Sequence, residues 1–254
     1  MPLDIAHIQA CRPQNRLHYW ESLGSTMTEA GRLAAAGAPH GTAVLANEQT
    51  AGLGRLGRSW ISEPEDGIYC SVLLRLPLPL SSMPVASLLV GLAAAGAIHK
   101  SANLVCDLRW PNDVLINERK VAGILTHLVD GCVVAGIGIN VNQRSFEPGL
   151  RTAATSLRME SHGEVYPRES IIVNLLVSLE EFCEIVAAKG PAAICRCFAE
   201  ASSYVTNRRV IIEESGATGV TCGLDENGFL LVRYDSGQVE RIAAGGIRPR
   251  KPSA

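Results

Sequence analysis

The sequence predicts an α+β fold in two parts: a sheet flanked by helices over residues 1–203, then a small β-barrel over residues 204–254. Three observations carry this. Strand-like and helix-like runs interleave as far as about residue 203. Asp130-Gly131 separates two apolar runs, the strongest short hairpin signal. From Arg208 onward only short strands remain (RRVIIEE, GVTCGLDE, FLLVRYD, QVERIA), divided by Ser215-Gly216, Asn227-Gly228 and Ser236-Gly237. Short strands with tight turns are the pattern of a small barrel.

Residues 16–23 (RLHYWESL) read as the first strand. A helix follows: Thr26 and Glu29 have capping-box spacing, and Gly37 closes it. Residues 42–47 form a strand, 49–60 a glycine-rich loop, and 68–76 another strand. Ser81 or Ser82 caps an Ala/Leu-rich helix running to about residue 102. Its apolar stretch is too short to span a bilayer comfortably, so it reads as a core helix. Residues 105–110 form a strand that ends at Pro111-Asn112-Asp113. Strands at 114–116, 120–129 and 132–139 follow. Residues 167–188 have apolar positions Ile171, Leu175, Leu176, Leu179, Phe182 and Val186 on one helical face. Residues 191–202 form a further helix, opened by proline.

Composition excludes several classes. Apolar residues make up 47% and charged residues 19%, so the chain is not disordered. Aromatics are only 5% and net charge is −2, which leaves no stacking platform and no overall basic footprint for nucleic acid. The eight cysteines include no C-x-x-C pair and sit mostly in apolar runs, as reduced core residues of a cytoplasmic protein do. The start has no signal-peptide pattern. The six histidines have no metal-ligand spacing, and His127, between apolar neighbours, reads as structural.

The chemistry-bearing segments are individually modest. Gly52-Leu53-Gly54-Arg55-Leu56-Gly57-Arg58 matches G-x-G-x-x-G, but no helix follows it, so the dinucleotide fingerprint fails. Its glycines let successive N–H groups approach an anion, and Arg55 and Arg58 add charge. A solvated surface loop fits the composition equally well. Ser25-Thr26 stands at a helix N-terminus, where hydroxyls either cap the helix or bind a small polar ligand. Arg109-Trp110-Pro111-Asn112-Asp113 ends a strand in turn chemistry, and Asp113 could hold Mg²⁺ beside phosphates. Lys120 opens a strand. Gly136-Ile137-Gly138-Ile139-Asn140 is a glycine-bearing strand end, where a ligand or backbone approaches closely.

Their order is more specific than any one of them. Ser25-Thr26, Gln49 to Trp60 (QTAGLGRLGRSW), Arg109 to Asp113, Lys120 to Leu125 (KVAGIL) and Gly138-Ile139-Asn140, in that sequence, resemble the biotin protein ligases over about residues 16–248. The resemblance implies a mixed, largely antiparallel sheet flanked by helices and a terminal SH3-like barrel. It implies a ligase that joins biotin to ATP as biotinyl-5′-adenylate, then transfers it to a lysine of a biotin carboxyl carrier protein. Lys120 and Arg55 would be catalytic. Ser25, Thr26, Gln49, Gly52, Leu53, Gly54, Arg55 and Lys120 would bind biotin. Arg58, Trp60, Asn112, Asp113 and Asn140 would hold ATP or adenylate, with Asp113 also on Mg²⁺. ATP with Mg²⁺ is a substrate complex, and no tightly held cofactor is expected.

Two positions depart from the family pattern. Met27 stands where relatives often have Asn, and Leu53 where they often have a basic residue. The chain also starts too close to these motifs for a helix-turn-helix before residue 16, which predicts a monofunctional ligase that binds no operator. Exposed strand edges suit a homodimer. The alternatives are a lipoate or octanoyl ligase of the same architecture, a non-catalytic sensor of biotin or its adenylate, and a nucleotide-dependent oxidoreductase resting on the glycine motif alone.

Overall fold

The computed structural model describes residues 2–243 and 245–250. Its elements run α1 (Ile5–Cys11), β1 (Leu17–Leu23), α2 (Thr26–Ala35), β2 (Ala43–Gln49), β3 (Gly67–Leu74), α3 (Met83–Ala102), β4 (Asp107–Arg109), β5 (Asp113–Ile116), β6 (Arg119–Val129), β7 (Cys132–Asn140), α4 (Leu157–Glu160), α5 (Arg168–Lys189) and α6 (Pro191–Glu200). Five strands follow: β8 (Thr206–Ile212), β9 (Thr218–Leu224), β10 (Leu230–Tyr234), β11 (Val239–Ile242) and β12 (Ile247–Pro249).

The first seven strands form one mixed sheet, ordered β1-β2-β3-β7-β6-β5-β4. Only β1 and β2 pair in parallel, joined by the α2 crossover; the other neighbours are antiparallel. The strands at the centre are buried: every residue of β3 is. Helix α3 is apolar nearly all round, from Val85 to Ile98, because it lies inside the fold against the sheet, α5 and α6. Residues 80–102 are long and apolar enough to cross a membrane by composition, yet 72% of an apolar 18-residue stretch within them is buried in the protein. A smaller apolar cluster under α2 includes Met27, Ala30, Ala34, Val44, Leu73 and Val134.

The last five strands form a second, antiparallel sheet, ordered β11-β10-β9-β8-β12. Residues 244 and 251–254 of the expected barrel lie outside the described residues. This sheet is tied to the rest at the end of β4 and at the start of α3. Buried Trp110 donates its indole N–H to the carbonyl of Gly228 at 3.0 Å, and Ser82 Oγ bonds Asn227 Oδ1 at 2.6 Å. Gly228 sits at φ +84°, and a Cβ there would meet Val85 and Leu88 within about 3.2 Å. The backbone therefore approaches α3 as only glycine permits.

Some expectations need correction. The α2 cap is Ser25, whose hydroxyl accepts from Met27 N; Thr26 is already helical, and Glu29 turns to Arg32 instead of back to the cap. The strand expected from residue 105 begins at Asp107, since Val105 is exposed. His127, read as structural, is exposed on β6. Helix α1 and strand β12 were not foreseen: both are short, and α1 buries only Ile8 fully, so neither leaves a periodic signal. All eight cysteines are free, and Cys11 is exposed.

Candidate active site

The register of the central strands creates a bare floor. Gly123 of β6 pairs with Gly138 of β7, and Leu125 pairs with Gly136. Gly136 and Gly138 are two apart, so both face the same side. Trp60 lies over this patch. A Cβ on Gly138 would stand 2.3 Å from its Cε2, and one on Gly123 2.8 Å from its Cζ3. Met27 covers the remaining glycine, with its Sδ 2.5 Å from where a Gly136 Cβ would be. The spacing of these glycines was visible in the sequence; what lies over them was not.

One end of the recess above this floor is polar. Gln49 Oε1 accepts from the backbone N–H of Thr26 at 2.8 Å and from its hydroxyl at 3.0 Å. Gln49 Nε2 donates to Ser62 Oγ, and fully buried Ser71 donates to Thr26 Oγ1. Each group is held by another, so the amide and hydroxyls stand in fixed orientation. The sequence had pointed to Thr26 and Gln49 but not to Ser62 or Ser71. Ser71 lies within an unbroken apolar strand, and only its register opposite Gly136 brings it here.

The glycine-rich loop folds back on itself over the recess. Trp60 N–H donates to Gly52 O at 2.9 Å, and Gly54 N–H to Arg58 O at 2.7 Å. Gly52 is required by space, since a Cβ would be 2.3 Å from the carbonyl of Trp60. Arg55 points inward. It donates to Asn112 Oδ1 at 2.8 Å and to the carbonyl of Gly245 at 2.7 Å. Burial pulls its pKa down, against the more distant charges of Asp113 and Glu213. Both named partners are neutral, and three further N–H groups of the guanidinium are left for an anion.

At the other end, Asp113 is clamped by two cations. Lys120 Nζ is 2.6 Å from Oδ1, and Arg109 is 2.5 Å from Oδ2. Burial pushes the Asp113 carboxyl up, but these two charges and their hydrogen bonds outweigh it and hold it below the ordinary carboxylate value. The Lys120 ammonium also lies 5.3 Å from the centre of the Trp60 ring, in cation–π contact. Arg109 reaches Thr152 Oγ1 as well.

The recess is lined by Thr26, Gln49, Leu53, Gly54, Arg55 and Lys120 among others, and with the loop shut it measures about 50 Å³. It meets a larger cleft of about 450 Å³ at Gly54, Arg55, Trp60, Asn112 and Lys120. The cleft, of a size that holds a small molecule, also takes in Arg58, Asp113 and Asn140, with Glu213, Gly246 and Ile247 from the second sheet. So most of the residues picked from the sequence converge. Ser25 and Gly52 line neither space; one caps α2, the other closes the loop. Asn140 borders the cleft, but its amide donates to Thr155 O at 3.0 Å and Lys120 O at 3.4 Å. Asn112 is likewise occupied, by Arg55 and by the Ile124 carbonyl. Among the described residues no group of three His, Cys, Asp or Glu side chains gathers as a metal site.

Known proteins resemble this chain in sequence and fold. Residues 19–143 match the model of the biotin/lipoate A/B protein ligase family. The bifunctional ligase/repressor BirA of Bacillus subtilis is 36% identical over 239 residues, 91% of this chain and 73% of its own length. The biotin–[acetyl-CoA-carboxylase] ligase of Mycobacterium tuberculosis is 32% identical, over 88% of this chain and 85% of its own. The biotin protein ligase of Aquifex aeolicus, solved with biotin and ATP, superposes with a TM-score of 0.80 at 31% identity, over 93% of this chain and 99% of its own. Motif order, fold and site thus lead to one assignment: the chain belongs to the biotin/lipoate A/B protein ligase family.

Proposed function

We propose that this chain is an ATP-dependent biotin ligase that makes biotinyl-5′-adenylate and passes the biotinyl group to a lysine of a biotin carboxyl carrier protein. One observation carries the reading. A recess with a fixed polar end opens into a nucleotide-sized cleft, and Arg55 and Lys120 stand where the two meet. In the first step a biotin carboxylate oxygen attacks the α-phosphorus of ATP, and the bond to pyrophosphate breaks. In the second the carrier lysine amine attacks the acyl carbon, loses a proton, and AMP departs.

Each residue then has a task. Thr26 and Gln49 orient the ureido head, with the backbone of Leu53 and Gly54 alongside; Ser25 serves them by capping α2. Lys120 and Arg55 stabilise the charge that gathers between carboxylate and phosphate, as fixed cations already in place before reaction. Arg58, Trp60, Asn112 and Asn140 border the nucleotide. Mg²⁺ enters with ATP as substrate, and Asp113 is the carboxylate we assign to it; binding it would replace one of the present ion pairs. Since the closed recess is smaller than any organic ligand needs, the loop opens to admit biotin and shuts again, keeping water from the mixed anhydride.

Several finer points belong to the same proposal. Eight free cysteines support a reducing, cytoplasmic setting. Strand β1 is an edge of the first sheet and supports pairing of two copies or docking of the carrier. The net charge of −2 supports a ligase without operator binding; a salt-sensitive, sequence-specific DNA shift would overturn that point. The main test is ATP–pyrophosphate exchange with Mg²⁺ and biotin, lipoate or no acid. Biotin-dependent exchange is expected. Exchange with lipoate alone overturns the substrate, and bound biotin without exchange makes the chain a sensor.

A further inference from the structure

The mechanism uses Arg55 for its charge, yet its two hydrogen bonds go to neutral groups of two other segments. Asn112 belongs to the turn between β4 and β5; Gly245 lies between β11 and β12, 190 residues away in sequence. One side chain therefore joins the loop, the first sheet and the second sheet. We propose that Arg55 and the carbonyl of Gly245 form a latch that holds the glycine-rich loop shut, so that the C-terminal sheet positions the loop.

The other outside bonds lie at the base of the loop, where Thr50 and Ala51 N–H donate to Leu23 O and Gly24 O and Gln49 donates to Ser62 Oγ; little else holds its tip. The Gly52–Trp60 and Gly54–Arg58 bonds are internal to it. Leu56 at its tip is 70% exposed, and Leu53 and Ile61 are exposed too, so apolar burial contributes little apart from Trp60 on its floor. The Gly245 side is firm by contrast. Gly245 is buried at φ +80°, and its neighbour Gly246 accepts from Glu213 N at 2.9 Å. Glu213 is itself paired with Arg151 at 3.0 Å. A side chain at 245 would be strained by the positive φ and would press on Glu214 Cβ at 3.2 Å. A guanidinium N–H that loses its acceptor in a partly buried place costs free energy, so removing either partner favours the open loop.

Loop closure can be read without any chemistry, by amide hydrogen exchange of residues 50–62 in the full chain without ligand. Gly245→Ala should speed exchange about tenfold, the scale of one hydrogen bond to a charged donor, and Arg55→Ala at least as much, since it also loses the Asn112 bond. The double variant should be no faster than the faster single. Gly237→Ala, at φ +86° in the same sheet with open space around it, is the control for strain and should leave the loop unchanged. Wild-type loop exchange in Gly245→Ala overturns the latch, as does a double variant whose effect is the product of the singles. If Gly245→Ala loosens the whole second sheet, Arg55→Lys decides. A lysine ammonium lacks the fork that spans two acceptors, so loop exchange should rise, and wild-type exchange refutes the latch. The kinetic counterpart, faster adenylate release from Gly245→Ala, rests on the ligase reading. Absence of biotin-dependent pyrophosphate exchange would remove that reading and leave the hydrogen-exchange result to judge the latch.

Discussion

Replacing Gly138 by alanine tests the central geometric claim, that a bare strand face lets Trp60 close the site. The new Cβ would stand 2.3 Å from Trp60 Cε2 and 2.5 Å from Nε1. Ordinary contact begins near 3.4 Å, so 3.4 − 2.3 leaves the indole about 1.1 Å to retreat. A flat ring on a short stem cannot bend away, and the methyl is fixed on a central strand. Overpacking of this kind costs about 1–3 kcal/mol, and here it falls on the closed loop, because the strand is held by both neighbours. The closed state should lose roughly a factor of 5–150 in population. The methyl also narrows the recess for any ligand, so both effects have the same sign. Purified biotinyl-adenylate complex should release its intermediate faster by that factor, with melting temperature nearly unchanged. Gly123→Ala is the internal scale: its Cβ meets the ring at 2.8 Å and the flexible end of Lys120 at 3.0 Å, so its effect should be smaller. Release from Gly138→Ala within twofold of wild type would mean that Trp60 does not close the site on this face.

Other perturbations separate chemistry from support. Lys120→Ala should slow adenylate formation by about 10²–10³, the usual loss for one preorganised charge-stabilising group, while biotin binding by calorimetry changes far less; unchanged turnover would remove Lys120 from the mechanism. Asp113→Asn should cost about 3–5 kcal/mol in urea unfolding, towards the lower end because Lys120 is partly exposed, since it strands two cations. Its pH dependence follows from the depressed pKa: the ionised Asp113 stabilises the fold fully above its ordinary unfolded value of about 3.9, and this is lost as pH falls through the lower folded value. The variant should therefore show a shallower acid limb than wild type, and parallel limbs would contradict the assignment. Trp110→Phe keeps one buried ring but removes the second and the N–H bond to Gly228, so about 1–3 kcal/mol should be lost; a larger fall in pyrophosphate exchange than in stability would mean that Trp110 does more than join the sheets.

Most elements, and most residues that border the candidate site, are legible along the chain. Asp130-Gly131 turns a hairpin, Gly37 follows the end of α2, and the glycine loop lies between strands with Arg55 and Arg58 bordering the cleft. These are local matters: positive φ, capping and period-two or period-3.6 burial depend on near neighbours and can be read along the chain. The tertiary structure decided which groups face one another. Gly123 and Gly138 become one floor only through the β6–β7 register, and Ser71 reaches Thr26 only because β3 pairs with β7 beside it. Asn112, read from its motif as a phosphate ligand, is already bonded to Arg55, and the second acceptor of Arg55 is a backbone carbonyl. No residue type announces such an acceptor, because every residue has the same carbonyl, and its place is set by packing between distant segments.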